Sequence, residues 1–580
     1  MAILALLVAL VWCGVEDRWT PQSWQVPIEY YHDNGAMDVL TVFTAIKSAS
    51  EGNYIPFKLK FEPQLSAPYG ASWNDYPNNE QFQVFFTGML ADTIGLFAAA
   101  NFAMMLLFIL SALAFYFVCR QYRCSWQWAF AMALVFAFSQ FAFAHGQHHM
   151  TVAAVWHIPL CLLVCRWAST GGGLRWKSWR FRFAVAVAVF TGLQNVYYAA
   201  MFIQLLGLAC AIQFFRRRRA AILPAIAVGA VTFGTFLLMN VNTFLYHHQY
   251  GPNTAAITRE YQEIEWTALK LVDFFMPWQH RIAAVEDWSK NYFSHAYIRG
   301  ENPPAGYFGI VGIVALLWFF LRIFRRSVLD RPARPVPVVA LQFAYVFLFA
   351  IVGGFNGLLG TVGFVLFRGT ARYSIVLLCI LLLFLARRLA CLTKKSPVLA
   401  CALPAAMVAL ALWDQTPKWK SAGDIQDTAS YVESDRRFTE EIEKRLPERA
   451  MIFEEPIMDY PESRTTTIAS YEHLRPYLFS QTLRFSFGGE KGRPTADWQQ
   501  SLESLPLGEL AATLQHYGFH AMLVNTRAEK EKLNWGGYEL KKMGLDNIIV
   551  NAKGDLVCIF LKPDPNPASP LGELQGGEKR

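Results

Sequence analysis

Charged residues are scarce in this chain of 580 residues: they make up 17% of it, against about a quarter in soluble domains. The deficit argues against an ordinary soluble enzyme and is typical of a protein whose body lies in a bilayer. The ten cysteines include no CxxC pair, and nearly all lie in or beside apolar runs. They are therefore interpreted as small core residues, not as a disulfide framework or a zinc site.

Several motifs of soluble enzymes are also missing. The polar C-terminal part has no P-loop, GxGxxG fingerprint or Ser-His-Asp nucleophile elbow, which argues against a self-contained enzyme there. The formal charge of +8 comes from clusters in loops, so it is a topogenic signal and not evidence for nucleic-acid binding.

Long apolar runs fill the first part of the chain, whereas residues 414–580 hold no run long enough to cross a bilayer. The first run predicts a retained helix, because no basic segment precedes it and no clear cleavage site follows; a cleaved signal peptide is the alternative. About eleven transmembrane helices are expected, at 1–15, 97–118, 126–143, 150–168, 181–193, 195–215, 221–246, 304–324, 337–356, 372–390 and 397–413.

Basic clusters set the expected orientation, since loops rich in Lys and Arg stay in the cytoplasm. The clusters fall in alternate loops, at 120–123, 166–182, 216–219, 322–334 and 387–395. The opposite loops are then exoplasmic, and periplasmic in a Gram-negative cell: 16–96, 144–149, 194–195, 247–303, 357–371 and the tail from 414. We therefore expect a polytopic α-helical domain at 1–413, a small exoplasmic α/β domain at 414–562 and a disordered end at 563–580.

The tail has the alternation expected of a small α/β domain. AMIFEEPI and AMLVNT predict strands, and LGELAATLQHYGF predicts the helix between them. NIIVNAKGDLVCIFLK predicts a hairpin that turns at Lys553-Gly554-Asp555.

The first exoplasmic loop carries Glu29-Tyr30-Tyr31-His32-Asp33-Asn34-Gly35, followed by an amphipathic segment that we expect to lie on the membrane. Asp33 is either the N-cap of that helix or a carboxylate that accepts a proton from an incoming hydroxyl. Downstream, the turn Pro68–Glu80 combines rings with Trp73, Asp75 and Glu80. Such a set suits a sugar, although an interfacial aromatic belt would collect similar residues.

Two further loops hold candidate polar groups. His145-Gly146-Gln147-His148-His149 could ligate a metal or, as we favour, line a cavity in which His148 and His149 bind phosphate or substrate hydroxyls. The loop 247–303 is too long to be a simple connection and is expected to be functional. Its candidates are Asp273, His280 and Glu301, although acids in loops are commonly helix caps.

The last short loop reads Leu366-Phe367-Arg368-Gly369-Thr370-Ala371-Arg372-Tyr373. Arginines on the exoplasmic side oppose the positive-inside rule and so need a reason. Arg368 and Arg372 could clamp a phosphate through charge-assisted hydrogen bonds. Snorkelling to lipid phosphates is the alternative.

The layout, together with His32-Asp33, Pro68–Glu80, Gly146–His149 and Phe367–Tyr373, resembles the GT-C superfamily of membrane glycosyltransferases. The resemblance implies transfer of a sugar from a polyprenyl-phosphate donor to an extracytoplasmic acceptor in the bacterial inner membrane. Asp33 would be the catalytic base, and Arg368 and Arg372 would hold the lipid phosphate. No cofactor is required, although Mg²⁺ or Mn²⁺ would be compatible.

The chemistry expected on this interpretation is an inverting displacement. Asp33 deprotonates an acceptor hydroxyl, its oxygen attacks the anomeric carbon, and the two arginines stabilise the departing phosphate. A lipid-linked sugar flippase or transporter, or a non-catalytic protein of polysaccharide assembly, are the alternatives. The long exoplasmic loops and tail, and the lack of an intramembrane charge relay in the sequence, disfavour transport.

Overall fold

The computed structural model describes the chain except for a set of short segments and the C-terminus. The residues outside the description are 33–37, 78–80, 171–172, 299, 302–303, 331–335, 464–467, 529–540, 542–543, 546 and 573–580. The chain divides into two compact units. The helical unit comprises 1–23, 101–239 and 259–421, and the sheet unit comprises 24–100, 240–258 and 422–580.

Every predicted apolar run contains helix, which confirms the polytopic α-helical class. Within the described residues, seven helices are long and apolar enough to cross a membrane: Leu96–Gln121, Trp126–His145, Met150–Ala168, Val196–Phe215, Arg219–Met239, Thr370–Lys395 and Pro397–Gln415. The other four runs form the shorter helices Ala2–Glu16, Trp179–Gly192, Gly309–Phe324 and Val338–Ala350.

One buried carboxylate joins two helices of the helical unit. Asp414, near the end of Pro397–Gln415, accepts hydrogen bonds from the Tyr307 hydroxyl at 2.8 Å and the Ile310 amide at 2.7 Å. Gly309 begins the neighbouring helix with a φ of 69°, and a Cβ there would lie 2.5 Å from the Gln415 side chain. Glycine is therefore needed for both the backbone conformation and the close approach.

The sheet unit contains a five-stranded mixed sheet in the order β2-β1-β3-β5-β4. Its strands are β1 (Met451–Glu455), β2 (Arg484–Phe485), β3 (Phe519–Asn525), β4 (Ile548–Val550) and β5 (Leu556–Phe560). β1 pairs in parallel with β2 and β3, while β5 is antiparallel to both β3 and β4. The two predicted strands and the hairpin are confirmed; β2 was missed because two residues carry no alternation to detect.

The sheet unit also contains helices, and the longer ones are Val39–Ser50, Gln81–Ile94, Val241–Tyr250, Ala422–Arg445 and Leu507–His516. Leu507–His516 is the helix predicted between the strands. Val39–Ser50 was expected to lie on the membrane surface, but nine of its twelve residues are buried. It packs closely on Gln81–Ile94, where a Cβ on Gly88 would lie 2.5 Å from the Ala49 Cβ.

The sheet unit departs from the predicted domain limits because it joins the first loop to the tail. The amides of Ser66 and Ala67 donate to the carbonyls of Phe487 and Phe485 at 2.9 and 2.8 Å. Residues 563–572 were expected to be disordered, yet the Leu571 amide donates to the Tyr69 hydroxyl at 2.9 Å. Hydrogen bonds to a folded surface hold this part of the C-terminus in place.

Arg475 is the most heavily bonded cation of the sheet unit, and it is fully buried. Its guanidinium donates to both carboxylate oxygens of Asp435 at 2.6 and 2.8 Å and to Asp555 at 2.9 Å. It also lies 3.6 Å from the centre of the Tyr31 ring and donates to the Tyr31 hydroxyl at 2.9 Å. Burial acts to lower the pKa of Arg475, but the charge and hydrogen bonds of Asp435, together with Tyr31 and Asp555, outweigh it, and the pKa is raised. We call Arg475, Asp435, Asp555, Tyr30 and Tyr31 the Arg475 network.

Arg475→Ala is expected to destabilise the sheet unit by about 3–5 kcal/mol. It leaves the buried Asp435 without its cation and removes the nearer of the two cations beside Asp555, the other being Arg527. Thermal or denaturant unfolding of the purified protein in detergent measures the change. Arg437→Ala is the matched control, since Arg437 forms an exposed pair with Glu433 on the helix Ala422–Arg445. If Arg475→Ala lowers the free energy of unfolding no more than Arg437→Ala does, this role is contradicted.

Candidate functional site

The loop with the two predicted arginines is firmly attached within the helical unit. The Gly369 amide donates to the Tyr197 hydroxyl at 3.0 Å, and Thr370 donates its hydroxyl to the Ala350 carbonyl at 2.7 Å. Asn356 donates its side-chain amide to the Phe367 carbonyl at 2.6 Å. The chain then enters a 3₁₀ turn, Thr370–Tyr373, that leads into the helix Ser374–Leu392. The arginines therefore project from a rigid turn.

Each arginine is paired with a glutamate of the loop that precedes it in the chain. Arg372 donates through Nε to Glu301 Oε1 at 2.7 Å and makes a second hydrogen bond to the same oxygen through Nη2. Arg368 donates through Nη1 to Glu263 Oε1 at 3.0 Å. The Arg372 side chain is 16% exposed and that of Arg368 is 36% exposed. The site thus combines two cations with two acids, one pair more deeply buried than the other.

Tyr197 organises this cluster, which we call the arginine site (Tyr197, Glu263, Glu301, Arg368 and Arg372). The Arg372 guanidinium lies 4.8 Å from the centre of the Tyr197 ring. The same ring packs edge-on against Phe367 and Tyr373. Because the Tyr197 hydroxyl also fixes the Gly369 backbone, one residue holds the loop and orients one of its cations.

The histidine motif lies in the same unit, between Gln140–His145 and Met150–Ala153. His145 is fully buried, with its ring 4.4 Å from Phe141, and Arg372 is close enough to act on it electrostatically. The ring centres of His148 and His149 are 4.7 Å apart. Among the described residues, no three His, Cys, Asp or Glu side chains are arranged to hold a metal ion.

Asp273 and His280 have structural partners in the helical unit. The Lys270 amide donates to Asp273 Oδ2 at 2.8 Å and the Asp273 carboxylate caps the 3₁₀ turn Leu271–Phe274. Burial raises the pKa of Asp273. His280 Nε2 lies 3.6 Å from Asp414. Asp273 thus serves as a cap, and His280 lies beside the carboxylate that joins two helices. Their predicted contact with substrate stays a prediction.

In the sheet unit, the segment before Asp33 is held by the Arg475 network. Tyr30 donates to Asp435 at 2.8 Å and Tyr31 donates to Asp555 at 3.0 Å. The ring of His32 stacks on Tyr431 with centres 4.0 Å apart. Asp33 itself lies outside the described residues, as does Glu80. The residues immediately N-terminal to the predicted base are therefore fixed by buried charge and by stacking.

The predicted sugar-binding turn is bonded to the tail within the same unit. Trp73 donates its indole N–H to the Gly488 carbonyl at 2.9 Å. Arg493 donates through Nε to Asp75 at 2.9 Å, and Asn253 donates to the same carboxylate at 2.8 Å. Burial acts to raise the pKa of Asp75, but the hydrogen bonds from Arg493 and Asn253 outweigh it and the pKa is lowered. These polar atoms serve internal contacts, and their role in sugar binding stays a prediction.

A buried amine lies beside this turn. Lys60 is 1% exposed, and its Nζ has no hydrogen-bond partner among the described residues. It lies 4.7 Å from the centre of the Tyr54 ring, and burial lowers the pKa of Lys60 to about 7 although the Glu490 charge acts against this. Burial, followed by the Asp75 charge, raises the pKa of Glu490 well above its usual value. A buried amine with so perturbed a pKa is a candidate functional group.

The structure unites some of the predicted residues and adds others. It brings Arg368, Arg372 and Glu301 together, and it adds Tyr197 and Glu263. Glu263 belongs to the short helix Tyr261–Trp266, and its sequence YQEIEW is too short for a clear helical pattern. Tyr197 follows the tight turn at 194–195, which was predicted to be exoplasmic, like the loop with the arginines. This shared side was the only hint in the sequence that Tyr197 could reach them.

Comparison with known proteins identifies the fold. No protein-family model matches the chain, and no curated protein matches it. The structure of ArnT from Cupriavidus metallidurans in the apo state is similar, with a TM-score of 0.52 and 12% identity over 97% of this chain and 99% of that one. Because ArnT is a GT-C protein, the predicted GT-C fold is confirmed.

Two other solved structures are similar at a lower level. ArnT bound to undecaprenyl phosphate gives a TM-score of 0.47 at 13% identity, over 97% of this chain and 99% of that one. The Archaeoglobus fulgidus oligosaccharyltransferase in complex with Zn and sulfate gives 0.45 at 12% identity, over 97% of this chain and 73% of that one. At these scores neither adds to the fold assignment.

Lys60→Met is expected to raise the melting temperature at pH 7, because it replaces a buried amine by an apolar side chain of similar length. The pKa of Lys60 is lower in the folded than in the unfolded chain, so the unfolded chain binds more protons between about pH 7 and 10. The destabilisation caused by Lys60 therefore decreases as the pH rises. The increase in melting temperature on Lys60→Met should accordingly become smaller at higher pH.

Melting curves in detergent at pH 7, 8 and 9 measure this, with the exposed Lys58→Met as the control. A Lys60→Met variant that melts lower than the wild type, or a gain that does not change with pH, would contradict the assignment.

Proposed function

Because the chain has the GT-C fold, we propose that it is an integral-membrane glycosyltransferase with a polyprenyl-phosphate-linked sugar donor. The acceptor is a hydroxyl of an envelope glycan, lipid or protein outside the cytoplasm, and the sugar is transferred with inversion. The arginine site is the observation that carries this proposal: two guanidinium groups on one rigid turn suit the phosphate of such a donor.

The glutamates of the arginine site explain how the arginines remain in place without a ligand. Two unpaired guanidinium groups close together would repel each other, and Glu263 and Glu301 offset their charge. An arriving phosphate offers oxygens of higher charge to the same donors, since guanidinium N–H groups bind phosphate bidentately. Arg368, the more exposed of the two arginines, would contact the arriving phosphate first. Arg372, whose side chain is held more tightly, would bind it in a fixed position.

The proposal that the sugar is carried on a polyprenyl phosphate is supported by ArnT, whose fold this chain shares. ArnT has been crystallised with undecaprenyl phosphate, and we carry a polyprenyl phosphate to this chain as part of the proposal. The basic loops support a location in the bacterial inner membrane, with the tail on the periplasmic side.

In the proposed reaction Asp33 takes the proton of the acceptor hydroxyl as its oxygen attacks the anomeric carbon. The bond between that carbon and the phosphate oxygen breaks, and the phosphate leaves with the electron pair. Arg368 and Arg372 stabilise the charge that develops on it. Because a phosphate leaves without a proton from the enzyme, one carboxylate suffices, whereas glycoside hydrolysis uses two. His32, next to the base in sequence, and His148, His149 and Trp73 are proposed substrate contacts.

Asp33→Asn is expected to lower the transfer rate by at least about a hundredfold, since general bases contribute about that factor or more. Donor affinity should change little, because the proposed base contacts the acceptor. Release of polyprenyl phosphate from a radiolabelled donor by the purified protein measures the rate. The control is Asp38→Asn, the same chemical change five residues further along the chain. Wild-type turnover by Asp33→Asn would refute the assignment of the base.

Arg368→Met and Arg372→Met are each expected to weaken donor binding about 10- to 100-fold, the equivalent of one or two charge-assisted hydrogen bonds. The apparent KM for the donor, together with binding of the donor to Asp33→Asn, separates affinity from chemistry. Arg436→Met, at an exposed pair with Glu433, is the control. An unchanged KM for the donor in both variants would show that Arg368 and Arg372 do not bind its phosphate.

A further inference from the structure

A second cluster of arginines surrounds a cavity in the helical unit, far from the arginine site. The cavity has a volume of about 460 Å³, within the range of small-ligand sites. Five arginines line it, namely Arg166, Arg322, Arg326, Arg387 and Arg388. They come from the helices Ile158–Ala168, Gly309–Phe324 and Ser374–Leu392 and from the turn Arg325–Leu329. We call it the basic cavity.

The two clusters lie at opposite ends of one helix. Arg372 lies in the 3₁₀ turn Thr370–Tyr373 that leads into the helix Ser374–Leu392, and Arg388 lies near the end of that helix. Sixteen residues at 1.5 Å each correspond to about 24 Å, most of the hydrocarbon thickness of a bilayer. A ligand in the basic cavity therefore occupies a different site from a donor at Arg368 and Arg372, and this inference does not depend on the proposed function.

The charge of the basic cavity is not balanced by the described residues that line it. Among the described residues that line it there is no Asp or Glu, and none of the five arginines forms an ion pair with a described residue. Arg388 experiences the like charges of Arg322, Arg387 and Arg326. This is the reverse of the arginine site, where each guanidinium has its own glutamate. Like charges gathered around a cavity favour an anionic occupant.

A buried donor in the cavity wall provides independent evidence. Gln342 is 5% exposed, and its side-chain Nε2 has no hydrogen-bond partner among the described residues. The Nε of Arg326 is likewise buried and without a partner there. Arg166 is held against the Tyr122 ring at 4.0 Å from its centre. Buried donors are costly when unsatisfied, so an acceptor is expected between them.

The remaining wall is apolar, which indicates what kind of anion fits. Phe319, Ile323, Ile380, Leu383 and Phe384 share the lining with the arginines. Neighbouring side chains that point outward are also apolar and exposed, including Phe320, Leu321 and Phe324. A small soluble anion would leave this apolar wall uncovered, whereas a lipid would bring its phosphate to the arginines and its chains to the apolar side.

We propose that the basic cavity binds the phosphate headgroup of an anionic lipid from the leaflet at the basic end of the helices. By the positive-inside rule this is the cytoplasmic leaflet. Arg322, Arg387 and Arg388 contact the phosphate oxygens, Gln342 donates to the headgroup, and the acyl chains lie along the apolar wall. The lipid supplies the counter-charge that is missing from the described lining, and it joins three helices at that end.

Native mass spectrometry of the purified full-length protein, titrated with phosphatidylglycerol or phosphatidylcholine, tests the proposal. The wild type should retain phosphatidylglycerol in preference to phosphatidylcholine. Arg322→Gln combined with Arg387→Gln should weaken phosphatidylglycerol binding at least about tenfold, as should Gln342→Leu, which leaves the charge unchanged. The control is Arg218→Gln combined with Arg219→Gln, the same loss of charge in an exposed basic cluster elsewhere.

Two results would overturn the proposal. One is wild-type affinity for phosphatidylglycerol in both cavity variants, or an equal loss in the control. The other is displacement of the lipid by inorganic pyrophosphate at a concentration similar to that of the lipid, which would assign the cavity to a soluble anion. Melting temperatures of all variants without added lipid verify that Gln342→Leu is folded.

Discussion

The sheet unit depends on one buried cation. Arg475 binds two carboxylates that are distant in sequence, Asp435 and Asp555, and also the ring and hydroxyl of Tyr31. Burying a guanidinium is costly, and the network is stable only while every partner is present. The consequence for function is local, because Tyr30 and Tyr31 directly precede His32 and Asp33. Buried charged residues in the tail therefore fix the position of the chain just before the proposed base, Asp33.

Arginine has two different uses in the helical unit. In the arginine site each guanidinium is paired with a glutamate and rests on an anchored turn. In the proposed function, an incoming phosphate replaces a partner that is already present. In the basic cavity the guanidinium groups surround a space and no carboxylate lines it among the described residues. The first arrangement suits a ligand that comes and goes with turnover, and the second suits a resident anion.

The sequence predicted the features that depend on local pattern. Apolar runs located the helices, alternation located β1, β3 and the β4–β5 hairpin, and arginines on the unexpected side identified the Arg368–Arg372 turn. It did not predict Tyr197, Glu263, Lys60 or Arg475. The pairs that matter join distant parts of the chain. Arg368 and Glu263 are 105 residues apart and belong to separate loops, and Lys60 in the first loop faces the charge of Glu490 in the tail. Such pairs leave no local signal, because only the fold brings them together.

The proposed reaction, with a single base and a phosphate leaving group, has a stereochemical consequence. With one carboxylate the acceptor must displace the phosphate directly, whereas a double displacement needs a second carboxylate as nucleophile. The anomeric configuration of the product, determined by NMR from a donor of known configuration, tests this most directly. We expect an inverted anomeric centre; a product that retains the configuration of the donor would contradict direct displacement with Asp33 as the base.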